Sequence, residues 1–319
     1  MNKIAVWGLG NHAIKNILPA LKRTQNIDLA GIYTRNESLR NKYAKKFNCK
    51  TWLNHEEMLQ DPDIDIIYCS TPPGLHHQMG IETLLAGKHF WCEKPVTMSL
   101  EEARSLVDLS NKRNLTLAEG FMYLYHPQIE TLMNKIQEPF LEKIKYIDII
   151  FTLPDSDNKG FRNNSELGGS SLYDIGCYNI SLALEIFNQK DPKILYKKIN
   201  INNLFNIDTS GYASLQFGED AVCNLFWGMG FGYRNEVNIL SREGSLYTDK
   251  IFSKKEDYKP VLDLRNHYGE VVSHECGQAN HFINMFSYFN SFIDDREKAD
   301  FEKKRIIKLA ETIEKFKVK

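Results

Sequence analysis

Short apolar runs and longer amphipathic stretches alternate through the first third of the chain. Ile4 to Trp7, Leu29 to Tyr33, Ile64 to Ser70, His89 to Glu93 and Thr116 to Glu119 are rich in β-branched and aromatic residues and predict strands. Between them, Ile14 to Leu21, Leu39 to Phe47, Gln78 to Ala86 and Leu100 to Lys112 carry apolar side chains at helical spacing. Ser99, ahead of Leu100-Glu-Glu102, has the form of a capping box. Strands alternating with helices predict βαβ units and a parallel sheet over residues 1–120.

After Tyr125 the pattern changes. Pro127 to Ile136 predicts a helix, Ile144 to Leu153 a long strand and, beyond a polar loop, Leu172 to Phe187 a second helix. Strands follow at Ile194 to Ile201, Ser210 to Phe217, Ala221 to Met229, Glu236 to Leu240 and Gly244 to Tyr247, with no helix between them. Such a succession pairs antiparallel. Helices near Ala279 to Phe292 and Phe301 to Phe316 close the chain. The fold class is therefore α/β: a doubly wound parallel sheet, then an α+β domain over residues 121–319 with a large open, mostly antiparallel sheet.

At 319 residues the chain can bury two cores. Forty basic against forty-one acidic residues leave a net charge of -1, so no global field favours nucleic acid or an anionic membrane. No run approaches the ~20 apolar residues of a membrane span. The first strand, broken at once by Gly8 and Gly10, is too short for a signal-peptide core, and a cytoplasmic chain is expected. Cys49, Cys69, Cys92, Cys177, Cys223 and Cys276 are scattered without CxxC pairs, so reduced thiols and no metal centre are expected.

The chemistry starts at the first strand's exit, Gly8-Leu-Gly10-Asn11-His12-Ala13. Gly8 permits a tight turn, Gly10 lets backbone approach a pyrophosphate, and Ala13 keeps the following helix close to the sheet. The phosphates then meet free N–H groups and the positive dipole end of that helix. At the second strand's tip, Thr34-Arg35-Asn36, the acidic residue that would bond an NAD ribose is missing. Arg35 could pair with a 2′-phosphate, with Thr34 or Asn36 donating to it, which favours NADP and leaves NAD possible. Alternatively Arg35 is a solvated loop residue stacking on adenine, and both cofactors are tolerated.

Two later strand ends border the same crevice, because ligands in such sheets sit at the carboxyl edge. Thr71, Pro72 and His76 follow one of them and should approach the nicotinamide. His76 and His77 point in different directions and do not form a metal pair. Glu93-Lys94-Pro95 ends the next strand, where proline stops the ladder and fixes the exit of both charged side chains. Lys94 can donate to a substrate oxygen and stabilise a developing alkoxide.

Taken together, Gly8-x-Gly10-x-x-Ala13, Thr71-Pro72-x-x-x-His76, Gly87-Lys88-His89 and Glu93-Lys94-Pro95 closely resemble the Gfo/Idh/MocA oxidoreductase family over essentially the whole chain. The resemblance implies a Rossmann domain followed by a large-sheet domain whose exposed face forms a homodimer or homotetramer interface. It also draws attention to Gly168-Gly169-Ser-Ser-Leu-Tyr-Asp174-Ile-Gly176-Cys-Tyr178, similar to a family segment that ends in histidine or tyrosine. Four residues apart at a helix start, Asp174 and Tyr178 share a face. Tyr178 beside Lys94 could serve as general acid, since a nearby ammonium favours the phenolate, and Asp174 would orient the substrate or the lysine. Tyrosine at this position resembles the glucose-fructose oxidoreductase and dimeric dihydrodiol dehydrogenase branches. Glu119-Gly-Phe-Met-Tyr123-Leu124 resembles them too, except that Leu124 stands where an arginine is usual. Phe161-Arg162 falls where relatives tend to show Trp-Arg; Arg162 reaches cofactor or substrate, or is a solvated loop arginine.

The expected activity is hydride transfer between NADP, or NAD, and a carbinol or carbonyl of a sugar-like, polyol or diol substrate. Two alternatives from other classes are an NAD-dependent glycosidase and a sensor that only binds dinucleotide.

Overall fold

The computed structural model describes residues 1–137, 143–155, 160–202, 204 and 206–317. Part of the polar loop expected after Leu153 falls in 156–159, outside the described residues. The chain forms two compact units, Met1–Phe121 with Phe282–Ala310, and Met122–His281 with the segment from Glu311 onward.

In the first unit the strands are β1 (Asn2–Trp7), β2 (Ile27–Tyr33), β3 (Lys50–Thr51), β4 (Ile66–Cys69), β5 (His89–Cys92) and β6 (Leu117–Glu119). They pair in the order β3-β2-β1-β4-β5-β6, parallel throughout. The order reverses between β1 and β4, which opens a crevice at their carboxyl ends. β4 is buried along its whole length, as its unbroken apolar run requires of a strand covered on both faces.

The helices within Met1–Phe121 include α1 (Leu18–Arg23), α2 (Glu37–Phe47), α3 (His55–Gln60), α4 (His76–Leu85) and α5 (Leu100–Arg113). Ser99 caps α5 by accepting from the Glu102 N–H, and Glu102 returns a carboxylate to the Met98 N–H. α3 and the two-residue β3 are too short to carry a period and have no counterpart among the sequence expectations.

Phe282–Ala310, which the strand-rich pattern assigned to the second domain, packs with the first. Phe286 meets the Tyr68 ring edge-on at 5.0 Å and Phe289 meets Trp91 at 5.6 Å. Helical spacing shows that such a segment has an apolar face but does not show which sheet will cover it.

Among its described residues the second unit carries α6 (Pro127–Ile136), α7 (Cys177–Ile186) and eight strands: β7 (Ile144–Leu153), β8 (Lys193–Asn202), β9 (Ile207–Phe217), β10 (Ala221–Met229), β11 (Arg234–Ser241), β12 (Gly244–Asp249), β13 (Val261–Asn266) and β14 (Val271–Glu275). They are ordered β14-β13-β12-β11-β7-β10-β9-β8; among the described residues only β7 and β10 pair parallel. β13 and β14 are additions to the sequence expectation, their apolar alternation being too short to separate from loop. α7 is buried almost throughout and is tied to the sheet by Asn179, whose Nδ2 donates to the Ile149 and Phe226 carbonyls at 3.0 and 2.9 Å. α8 (His281–Ser291) and α9 (Arg296–Glu314) complete the chain.

The other face of this sheet is more polar than the sequence suggested. Asp148, Arg234, Glu236, Asn238 and Asp263 line it beside Ile150, Tyr247 and Val271. Among the described residues no helix is long and apolar enough to cross a membrane.

Trp227 fills the centre of the second core because two facing positions are glycine. A Cβ at Gly211 would lie 2.1 Å from the indole, and one at Gly176 2.9 Å from it. Gly211→Ala is therefore expected to cost ~1–3 kcal/mol by overpacking. The measurement is the urea midpoint; an unchanged midpoint contradicts the packing account.

Candidate active site

The crevice of the first unit is built by strand register. Trp7 pairs with Cys69, and Cys69 with Cys92, so the residues that follow emerge side by side: Gly8, Ser70-Thr71 and Glu93-Lys94. Gly8 has φ +106, and a Cβ there would lie 2.5 Å from the Ser70 carbonyl oxygen, so only glycine fits. A Cβ at Gly10 would meet nothing within 4 Å. That open space beside backbone leaves room for a pyrophosphate at the turn. Asn11 and His12 open the helical segment, whose first turn, Ala13–Ile17, is a π-turn before α1.

Glu93 ties this turn to the sheet. Its carboxylate accepts from the Tyr68 hydroxyl at 2.6 Å and lies 3.0 Å from His12 Nε2. Burial pushes the Glu93 carboxyl up, but His12, the Tyr68 hydroxyl and Lys94 outweigh it and hold the group below the ordinary glutamate value. The Tyr68 phenol is correspondingly raised, by burial and then by Glu93. By sequence alone Tyr68 reads as core, because it stands within an apolar strand.

His76 ties two strand exits together. Its Nε2 lies 2.8 Å from the Thr71 carbonyl and its Nδ1 2.9 Å from the Pro95 carbonyl, with the ring fully buried. The contact with Pro95 anchors the residue after Lys94, across a cis Lys94-Pro95 peptide bond. Glu119 supports the same loop, a carboxyl oxygen accepting from the Val96 N–H at 2.7 Å. Thr71 and Pro72 stand at the crevice, and His76 lies behind them in the core rather than lining it.

At the tip of β2, Arg35 and Asn36 are exposed. Asn36 is occupied as the cap of α2, accepting from the Leu39 N–H. The Thr34 carbonyl is held by the buried Arg40 through Nη1 at 3.2 Å, and Arg40 also lies over the Tyr33 ring. Arg40 is a second cation at this tip, overlooked because it reads as a helix-surface residue.

In the second unit, Asp174 lies in a π-turn, Leu172–Gly176, that precedes α7. Arg162 Nε donates to its carboxylate at 2.6 Å, so these two predicted residues are brought together. The turn is anchored by Asp208, which takes the Ser170 and Ser171 hydroxyls and the Leu172 N–H. Tyr178 is 6% exposed, and its hydroxyl donates to Met122 Sδ at 3.4 Å. Tyr123, Phe151 and Phe252 surround its ring. Leu124, half-buried, sits in the short turn Met122–Tyr125.

The family model described as "Oxidoreductase family, NAD-binding Rossmann fold" matches residues 2–121, and the GFO/IDH/MocA C-terminal domain matches residues 129–247. The chain belongs to the GFO/IDH/MocA family. Its similarity to a dTDP-3,4-didehydro-2,6-dideoxy-alpha-D-glucose 3-reductase of Saccharopolyspora spinosa is 26% identity over 262 residues, 82% of this chain and 79% of that protein. A trans-1,2-dihydrobenzene-1,2-diol dehydrogenase of Xenopus laevis is 32% identical over 149 residues, 45% of this chain and 43% of the other. The fold matches that of a 3-ketoreductase from Actinomadura kijaniata, solved with NADP and TDP-benzene, at a TM-score of 0.92 and 23% identity over 99% of this chain and 97% of that one.

In this GFO/IDH/MocA oxidoreductase, Glu119 gives a test of the Lys94 loop. Burial first, and then Glu302, raise its carboxyl to about 8 from 4.5. Between those values the folded chain holds a proton that the unfolded chain has released, so stability falls as pH rises, by at most about 1.4 kcal/mol per pH unit. Glu119→Gln should flatten that fall. Urea midpoints at about pH 5 and about pH 8 read it, and an equal decline in both proteins contradicts the assignment.

Proposed function

We propose that this chain is an NADPH-preferring reductase of a keto group on a sugar-like substrate, including a nucleotide-linked sugar. The observation that carries the reading is the register at the β1/β4 crossing, which sets a glycine turn, Thr71 and Lys94 on adjacent strand exits. When bound, the nicotinamide supplies the hydride. Gly8, Gly10, Asn11 and His12 would hold the pyrophosphate, and Thr71 and Pro72 would border the nicotinamide. Lys94 donates to the substrate oxygen and polarises the carbonyl, and Tyr178 gives that oxygen a proton as charge builds on it. Asp174, held by Arg162, orients the substrate. The substrate class draws on the similarity to the dTDP-sugar 3-reductase.

Two further observations support these roles. Variants of the Actinomadura kijaniata 3-ketoreductase alter a lysine and a tyrosine that lie as far apart in its sequence as Lys94 and Tyr178 do here. Arg35 is exposed at the β2 tip with no acidic residue beside it, which suits a 2′-phosphate. Self-association belongs to the same reading, through the open face of the eight-stranded sheet where Ile150, Leu240, Tyr247 and Val271 interrupt the polar positions.

NADPH and NADH oxidation assayed against keto-sugars, sugar nucleotides and dicarbonyls tests the activity directly. No substrate-dependent oxidation with any of them would leave the dinucleotide-binding sensor as the better reading. Lys94→Ala should lower kcat by ~10²–10⁴ with little change in NADPH affinity; near-normal turnover would remove Lys94 from the mechanism. Arg35→Ala should raise KM for NADPH about tenfold or more, the worth of a charge-assisted hydrogen bond, and leave KM for NADH unchanged. Equal effects on both cofactors would mean that Arg35 stacks on adenine instead.

A further inference from the structure

Directly behind the strand exits, two cysteine sulfurs lie beside His76, and a methionine sulfur lies beside one of them. Cys69 and Cys92 are ladder partners on β4 and β5, so their side chains leave the same face of the sheet. His76 and Met79, three residues apart on α4, lie on one side of that helix and face the pair. Cys69 Sγ is 3.7 Å from Met79 Sδ, and the ligand atoms of Cys69, His76 and Cys92 all lie within 4.8 Å of one another. Cys69, His76 and Cys92 are fully buried and Met79 is 7% exposed.

We propose that this cluster is a binding site for a thiophilic divalent cation of the zinc type, held by the Cys69 and Cys92 sulfurs and His76, with Met79 facing the fourth position. Charge and softness both select it. Two thiolates neutralise a divalent ion, so the complex leaves no net charge in the dry interior. Thiolate, thioether and imidazole donors exclude hard ions such as magnesium and calcium. In a tetrahedral complex, metal–sulfur and metal–nitrogen distances of about 2.3 and 2.0 Å put neighbouring ligand atoms roughly 3.5–4 Å apart. The donors, within 4.8 Å of one another, must therefore close by at most about 1.3 Å. Binding replaces two S–H bonds with two metal–sulfur bonds and releases two protons to solvent.

Occupation has a structural consequence. Both nitrogens of His76 face backbone carbonyls, at Thr71 and Pro95, so one of them must turn away to coordinate. A loaded site and the intact tie between the β4 and β5 exits are mutually exclusive. Metal loading is thus an inhibitory state, a consequence that rests on the role given to Lys94; the binding site itself does not.

The test is titration of the full chain with Cd²⁺ under a phosphine reductant, reading the thiolate-to-metal charge-transfer band and proton release. Stoichiometric uptake is expected, with the band lost in Cys69→Ser and Cys92→Ser and retained in Cys49→Ser, which alters a half-exposed cysteine. Absence of the band in the wild type, or its persistence in both buried-cysteine variants, overturns the proposal. Should those variants fail to fold, X-ray absorption of the Cd²⁺-loaded wild type decides: a shell with at least two sulfurs and a nitrogen supports the site, and an oxygen-only shell overturns it. Failure of the reductase reading would appear only in the turnover assays and would leave these results unchanged.

Discussion

The register of three parallel strands is the constraint on which the nucleotide half depends. Because Trp7, Cys69 and Cys92 sit in one row of the ladder, the chain leaves the sheet three times at the same height. Successive side chains alternate faces, so a slip of one residue would turn Cys69 and Cys92 away from α4 and move Thr71 and Lys94 off the crevice. The unbroken apolar runs of β1 and β4, covered on both faces, hold that register. Gly8 tightens it further, since its turn passes too close to Ser70 for any side chain.

Polar groups then fix what the ladder places. Glu93 bridges Tyr68 and His12, His76 bridges Thr71 and Pro95, and Glu119 meets Val96. Each couples one strand exit to a neighbouring segment. Burial makes these contacts consequential: a buried carboxylate or imidazole without partners costs several times what an exposed pair contributes. The second unit repeats the device at Asp208, which gathers two hydroxyls and an N–H to hold the turn that carries Asp174. Contacts of this kind hold a side chain or a turn in place from behind.

Much of the architecture was legible in the sequence. Alternating strand and helix patterns gave the parallel sheet, and a run of strands without helices gave the antiparallel one. Glycine spacing and the Glu93-Lys94-Pro95 exit drew attention to the crevice because those residue types answer local steric demands. Features that depend on packing partners were hidden. Tyr68 and Arg40 look like ordinary strand and helix residues until their neighbours are known. α8 shows an apolar face at helical spacing, but only the rings of Tyr68 and Trp91 settle what it covers. β13 and β14 were lost because six- and five-residue alternations next to loops are weak signals.

The sequence by itself determined the local vocabulary: which segments are strands or helices, where the backbone must turn tightly, and which strand exits carry charge. These follow from side-chain periodicity and from the steric freedom of glycine and proline, which act over a few residues. Tertiary structure alone decided which distant residues meet. Cys69 and Cys92 look scattered along the chain, yet parallel pairing sets them side by side, with His76 and Met79 delivered by the crossover helix between them. Such meetings depend on strand order and register, and these are set by the burial of whole elements rather than by any short run of residues.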